Sequence, residues 1–241
     1  MKCAAIILAG GTGRRMGNNV PKQYMELQGK PVLYYSLKTF SGAEFINEVV
    51  IVAAGDYLDK VQADIVDLYG FHKTSAVVEG GRERYHSVAN GLEALPEDTE
   101  YVFIHDGARP FVTSYTIERC LHYAKKYRAS AAAVKAKDTI KIADDDSVVR
   151  STPDRGHVWM VQTPQTFEYR LIRDAYRRLL DDEERLRAAG VNVTDDTMVA
   201  KIYADVDARL VESTYDNIKI TTPEDMKLAK MISAENALKI Q

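Results

Sequence analysis

A chain of 241 residues, 46% hydrophobic and 28% charged, is long enough to bury a core as one large domain or two small ones. Its net charge of −3 offers nucleic acid no global basic field, and no apolar run nears the ~20 residues of a membrane span. Two distant cysteines, Cys3 and Cys120, form no CxxC pair, which argues against a disulfide framework or a zinc knuckle. With no visible signal peptide, this usage points to a reducing cytoplasm.

The apolar run Ala4–Ala9 reads as a strand buried on both faces of a parallel sheet. Gly10, Gly11 and Gly13 follow it, and Arg14, Arg15 and Lys22 supply cations. A strand, a glycine loop whose N–H groups can approach a ligand, and nearby cations suit a polyphosphate. Met16 stands where the dinucleotide fingerprint needs its third glycine, and no P-loop spacing occurs. The same residues could instead form a glycine turn with a solvated basic edge.

Further along, Lys30-Pro31 begins a helix running through Phe40, with Pro31 suited to its first turn. Val49–Ala53 is a second strand, and a helix covers Asp56 to Tyr69. Ser75–Glu79 is a third strand, ended by Gly80-Gly81, before a helix with Val88, Leu92 and Leu95 on one face. Tyr101–His105 is a fourth strand, ending at Asp106. A helix over Ser114–Tyr127 and a strand at Ala131–Val134 come next. The alternation predicts an α/β fold, Rossmann-like, with a mostly parallel sheet and helices on both faces. No repeat or low-complexity linker divides it, so residues 1–241 read as one domain.

From Lys135 to Trp159 the chain turns polar, with two short alternating runs about Asp144-Asp145-Asp146. This reads as a protruding β-hairpin arm with little apolar surface, marginal in water unless something covers it. A second subunit could do so, or the arm could fold back on its own sheet. A long charged helix over Tyr169–Ala188, stopped by Gly190, precedes a strand over Val206–Glu212 and a closing helix over Pro223–Leu238.

Ligands of open parallel sheets bind outside the carboxyl ends of the strands. The glycine loop, the Gly80–Arg84 loop with Ser87 beyond it, and the His105–Pro110 loop should therefore face one crevice. Asp106, a carboxylate at a strand end beside a phosphate loop, suits a magnesium ligand or the cap of a turn.

The opening stretch, Leu8-Ala9-Gly10-Gly11-x-Gly13-x-Arg15-Met16 and then Pro21-Lys22, resembles the signature of sugar-phosphate nucleotidyltransferases. Nearly the whole chain resembles the 2-C-methyl-D-erythritol 4-phosphate cytidylyltransferase family. It carries LAGGTGRRMG, PKQY, GKPVLYYSL, EGGRERYHSVANGL, HDGARPF, DTIK, TPDR, VWMVQTPQTF, NVTDD and NIKITTPED in the family's order. Gly107 stands where the family usually has Ala, a small change that should keep a backbone contact possible. Arg82 and His86 occupy positions that often carry other residues.

The resemblance implies attack of the methylerythritol 4-phosphate oxygen on the α-phosphorus of CTP, with pyrophosphate leaving. It implies that Arg15, Lys22 and Lys219 bind the triphosphate and stabilise the transition state, and that Asp106 holds Mg2+. Ala9, Gly10, Gly11, Gly81, Ser87 and Thr163 would line the nucleotide, with Thr163 near its phosphates. Arg109, Thr139, Arg155 and Thr194, beside Asp106, would take the polyol phosphate. A guanidinium such as Arg155 can grip a phosphate bidentately, the lesser alternative being a surface salt bridge with Asp154. A homodimer is also implied, its arm carrying Arg155 to the partner's site. Two other readings are a ribitol-5-phosphate cytidylyltransferase and a nucleotide-binding regulator without chemistry. Arg14-Arg15 and the Thr152–Arg155…Trp159 stretch favour methylerythritol phosphate, and retention of Lys22, Asp106 and Arg155 favours an enzyme.

Overall fold

The computed structural model describes residues 1–11 and 20–238, with the side chains of 236–238 left aside. Gly13, Arg14, Arg15 and Met16 lie outside the described residues. The first strand, β1 (Cys3–Ala9), sends alternate side chains into two separate cores. Cys3, Ala5, Ile7 and Ala9 join one, and Ala4 and Ile6 join the other. A period of two with apolar residues at both phases leaves neither face for water.

The chain then forms a small hairpin from β2 (Glu26–Leu27) and β3 (Lys30–Pro31). Helix α1 (Val32–Gly42) starts only after Pro31, which is its extended N-cap residue (ψ 144°). Lys30-Pro31 is thus strand, not first turn. After β4 (Ile46–Ala53), a 3-10 turn and α2 (Leu58–Val61) run on as a π-helix over Gln62–Asp67. Strand β5 (Thr74–Glu79), α3 (Arg84–Glu93), β6 (Tyr101–Asp106), α4 (Ser114–Tyr127) and β7 (Ala129–Lys135) continue the alternation. The arm holds β8 (Ile142–Ala143) and β9 (Val149–Ser151), a shorter pairing than the sequence pattern suggests.

Strand β10 (Trp159–Glu168) follows, then α5 (Tyr169–Asp181) and α6 (Glu183–Ala188). The single helix expected over Tyr169–Ala188 breaks at Asp182, whose carboxylate accepts from Arg185 and from the Tyr203 hydroxyl. Helix α7 (Asp196–Ala204), β11 (Arg209–Glu212) and α8 (Pro223–Leu238) complete the chain. The last strand is shorter than the Val206–Glu212 expected.

The seven-stranded sheet has the order β11-β7-β10-β6-β1-β4-β5. Only β10 runs against its neighbours, β6 and β7; the other pairs are parallel. One face carries α1, α2 and α4 through Leu33, Leu37, Phe40, Val61 and Ile117. The other carries α3, α5 and α7 through Val88, Leu92, Ile172, Tyr176 and Val199. Helix α8 packs Met226 and Ala229 on Leu27 and Val32, beside Ile220. Because β10 is antiparallel, its first half lies at the carboxyl ends of β6 and β7. It thereby joins the rim that holds the loops after β5 and β6.

Candidate active site

The rim carries two adjoining cavities. One, of about 370 Å3, is lined by Gly10, Gly11, Lys22, Gly81 and Ser87 among others. The second, of about 380 Å3, is lined by Arg109, Gln162, Thr163, Gln165, Thr194 and Asp195 among others. Arg84, Asp106 and Lys219 line both.

The glycine strand-end is braced from below. Gln23 donates through Nε2 to the carbonyls of Ala9 and Gly11, and the Tyr24 hydroxyl also donates to Ala9 O. The carbonyls of Ala9 and Gly11 therefore turn inward, onto Gln23. In the second loop, Gly81 N donates to Ser87 Oγ at 3.1 Å. A Cβ on Gly81 would strike His86 Cβ, so only glycine fits there. Glu83 and His86 form the capping box of α3: His86 Nδ1 accepts from Glu83 N, and its Nε2 lies 3.0 Å from Glu183 Oε2. Arg82, at 3.4 Å, and the Tyr85 hydroxyl, at 2.9 Å, also reach Glu183. The loop positions that depart from the family pattern thus share one carboxylate on α6.

Asp106, at the end of β6, is the electrostatic centre. Its Oδ2 meets Lys219 Nζ at 2.9 Å and Arg109 Nε at 3.5 Å. Its Oδ1 has Arg84 Nε at 3.7 Å, too long for a hydrogen bond. Burial works to raise the Asp106 carboxyl, but Lys219, Arg84 and Arg109 together hold it below the usual carboxylate range. It is therefore an anion at any physiological pH. Arg109 is fixed by a second bond, Nη1 to Asn217 O at 2.8 Å. Asn217 in turn donates to Gln162 Oε1 and to Thr163 O.

Thr163 was expected near the nucleotide phosphates, yet it lines the Arg109 cavity and its side chain faces inward. Its hydroxyl accepts from Asp106 N at 3.0 Å and bonds His105 Nδ1 at 3.1 Å. Burial pushes His105 down to about 3, so the imidazole is neutral. Its Nδ1 accepts the Thr163 proton, and its Nε2–H donates to Arg109 O at 3.3 Å.

Arg155 and Thr139 are not brought to this rim within one chain; neither lines either cavity. Arg155 donates from Nη1 to Lys137 O within the arm, and the pair with Asp154 does not form, since Asp154 caps the short turn and meets His157. Gly107 is less interchangeable than expected. A Cβ there would lie 2.8 Å from Leu33 Cδ1 and 3.0 Å from the Leu8 carbonyl oxygen.

Sequence reasoning passed over Arg84, Gln165, Asp196 and Asn217. Each stands inside one of the matched motifs, so the motifs pointed to them, but nothing local distinguishes them from their neighbours. Among the described residues no group of three His, Cys, Asp or Glu side chains could hold a metal ion. One ionised carboxylate whose Oδ1 takes no hydrogen bond from Arg84 still suits Mg2+, which takes one or two protein carboxylates and fills its shell from phosphates and water.

Residues 3–235 match the family described as 2-C-methyl-D-erythritol 4-phosphate cytidylyltransferase. The chain belongs to this family. A relative of that name from Lachnoclostridium phytofermentans is 43% identical over 98% of this chain and 97% of its own. Another from Clostridium botulinum (strain 657 / Type Ba4) is 46% identical over 96% and 97%. The crystal structure of 4-diphosphocytidyl-2C-methyl-D-erythritol synthase from Anaerococcus prevotii superposes with a TM-score of 0.83 at 34% identity, covering 96% of each chain. Membership makes the chain a nucleotidyltransferase of the cytidylyl-transferring kind. No helix among the described residues is long and apolar enough to cross a membrane.

Proposed function

We propose that the two-cavity rim is where this chain performs its family's reaction, CTP and 2-C-methyl-D-erythritol 4-phosphate giving the CDP-alcohol and pyrophosphate. The product is a precursor in the non-mevalonate route to isoprenoids. The observation that carries the placement is the shared wall: Arg84, Asp106 and Lys219 line both cavities. A transfer between two phosphates needs two pockets that meet at the reacting phosphorus.

The cavity of Gly10, Gly11, Gly81 and Ser87 takes CTP. Lys22 and Lys219 meet its triphosphate, a role the family resemblance also gives Arg15, which lies outside the described residues. Arg109 and Thr194 take the polyol phosphate on the other side, and Thr163 holds the Asp106 backbone in place. An oxygen of the 4-phosphate forms a bond to the α-phosphorus, and the bond from that phosphorus to the β-bridging oxygen breaks. The electron pair leaves with pyrophosphate. The attacking phosphate is already anionic, its second pKa being near ~6, so no side chain must remove a proton. The protein's work is to hold two polyanions together and to offset charge that builds on the leaving group. Asp106 would hold Mg2+, which supplies further positive charge to the phosphates when bound.

Arg155 and Thr139 complete the polyol-phosphate side from a partner subunit in a homodimer. Two features support this reading. Neither residue lines either rim cavity of its own chain, and the arm leaves Ile142, Val148 and Val149 each at least 52% exposed. Free, buried Cys3 and Cys120 suit the reducing cytoplasm, where we place the enzyme.

Pyrophosphate release, measured with each of the four nucleoside triphosphates against methylerythritol phosphate and ribitol 5-phosphate, tests the reading. CTP with methylerythritol phosphate should be turned over fastest. Faster turnover of ribitol 5-phosphate would reassign the second substrate, and no release from any pair would leave a nucleotide-binding protein without chemistry.

A further inference from the structure

Behind the shared wall lies a buried polar network that the reaction as described does not use. Asp196, fully buried at the first position of α7, accepts two bonds from Arg84: Nη1 to Oδ1 at 2.6 Å and Nη2 to Oδ2 at 2.8 Å. The Tyr176 hydroxyl donates to the same carboxylate at 2.5 Å. Gln165 on β10 receives the backbone N–H groups of Asp196 and Thr197 on Oε1, and its Nε2 donates to Asp195 Oδ2. Asp195 itself caps α7 by accepting from Met198 N. The carboxylate of Asp196 is thus held by Tyr176, and its backbone by Gln165, before Arg84 meets it.

We infer that Asp196 is a positioning residue for cytidylyl transfer, holding the Arg84 guanidinium in the wall between the two cavities and off Asp106. The inference rests on the placement of the reaction at that wall.

The argument is one of competition. Arg84 is the first residue of α3, directly after the loop that carries Gly81, and its side chain reaches the wall from the nucleotide side. Two carboxylates attract it. Asp196 takes both Nη groups at bonding distance, whereas Asp106 has only Nε, at 3.7 Å. A planar fork satisfied end-on by one carboxylate cannot swing to another without breaking two charge-assisted bonds. If Asp196 lost its charge, Asp106 would be the remaining anion within reach of the guanidinium. Arg84 would then pair with Oδ1, the oxygen that Lys219 and Arg109 leave unengaged. That collapse would take a cation from the phosphates and a carboxylate oxygen from the centre of the site. A purely structural role, tying α7 to α3, would produce none of this.

The test compares two changes to one carboxylate. Asp196→Asn removes the charge that fixes Arg84. Tyr176→Phe removes the third donor and leaves both Arg84 bonds in place. Both should unfold more easily than wild type, since both act on the buried network. With CTP and methylerythritol phosphate, Asp196→Asn should lower kcat by ~10–100-fold, the scale of a misplaced group at a reacting centre. Tyr176→Phe should stay within twofold. In an Arg84→Met background, Asp196→Asn should cause no further loss, because the group it positions is gone. Arg84→Lys keeps the charge but not the fork, and should lose activity with Asp196 intact. This variant also keeps the inference testable should Asp196→Asn not fold. Wild-type kcat in Asp196→Asn, an equal further loss in the Arg84→Met background, or full activity in Arg84→Lys would overturn the inference. Wild type assayed in parallel separates the two ideas: if it releases no pyrophosphate from this pair, the functional reading fails.

Discussion

Thr163→Val replaces a hydroxyl by a methyl of similar shape, so it tests the hydroxyl alone. That oxygen accepts from Asp106 N and donates to His105 Nδ1, and all three residues are buried. A methyl leaves the Asp106 N–H and the His105 Nδ1 without those partners. A buried polar group deprived of its bond costs ~1–3 kcal/mol, so the pair should cost roughly 2–6 kcal/mol. For a chain of this size each kcal/mol moves Tm by ~2–4 °C, giving a fall of roughly 4–24 °C. Urea unfolding followed by circular dichroism should show a lower midpoint with an unchanged slope. Thr163→Ser, which keeps the oxygen, should recover most of the loss. Activity should fall with the valine variant as well, because Asp106 hangs from this bond. A valine variant with the wild-type midpoint, or a serine variant as unstable as the valine one, would refute the link between Thr163, His105 and the position of Asp106.

Lys22→Ala should leave folding intact and lower kcat by ~10²–10³, the usual effect of removing one preorganised charge; near-normal turnover would remove Lys22 from the triphosphate site. Asp106→Asn leaves Arg84, Arg109 and Lys219 facing one another without their shared anion. It should destabilise the fold by roughly 2 kcal/mol, below the usual ~3–5 for breaking a buried pair because Lys219 keeps solvent. EDTA should abolish wild-type activity and Mg2+ restore it, whereas metal-independent turnover would sink the role given to Asp106. His105, pushed down to about 3 from a usual 6.5, stays neutral in the fold while the unfolded chain protonates. The unfolded state then binds more protons, so stability should fall by about 1.5 kcal/mol from pH 6.5 to about pH 5. An unfolding free energy that does not change across that interval contradicts a buried neutral His105. Finally, Lys22→Ala and Arg155→Ala subunits, each nearly inactive, should recover about a quarter of wild-type activity when unfolded and refolded together. Half the dimers are then mixed, and half of their sites are intact. No recovery, with mixed dimers present, rules out a site shared between subunits.

The outline of the fold was legible wherever burial follows from a residue's own neighbours. β1 could be read because apolar residues at both phases of a two-residue period admit only a strand covered on both sides. Helices α4 and α8 keep the bounds expected of them, and in the fold Thr113 caps α4 by accepting from Thr116 N while α8 opens on Pro223. The strand-end loops with Gly10, Gly81 and Asp106 were placed on one rim by the rule for parallel sheets, and they line one cavity. Strand β10 was not legible. Gln162, Thr163 and Gln165 look like a polar loop, and they are buried because β6, α7, Thr214 and Asn217 give their polar atoms places to go. The break at Asp182 was equally hidden, since its hydroxyl donor Tyr203 lies 21 residues on.

The order of residues was enough for a mostly parallel α/β fold and, through its motifs, for the family the chain joins. Tertiary structure alone decided which charges meet. Arg84 and Asp196 are 112 residues apart, and Lys219 and Asp106 are 113 apart. A local pattern records whether a side chain is covered. It holds no information on which distant partner compensates its charge, because that pairing exists only after the sheet has set the strand ends side by side.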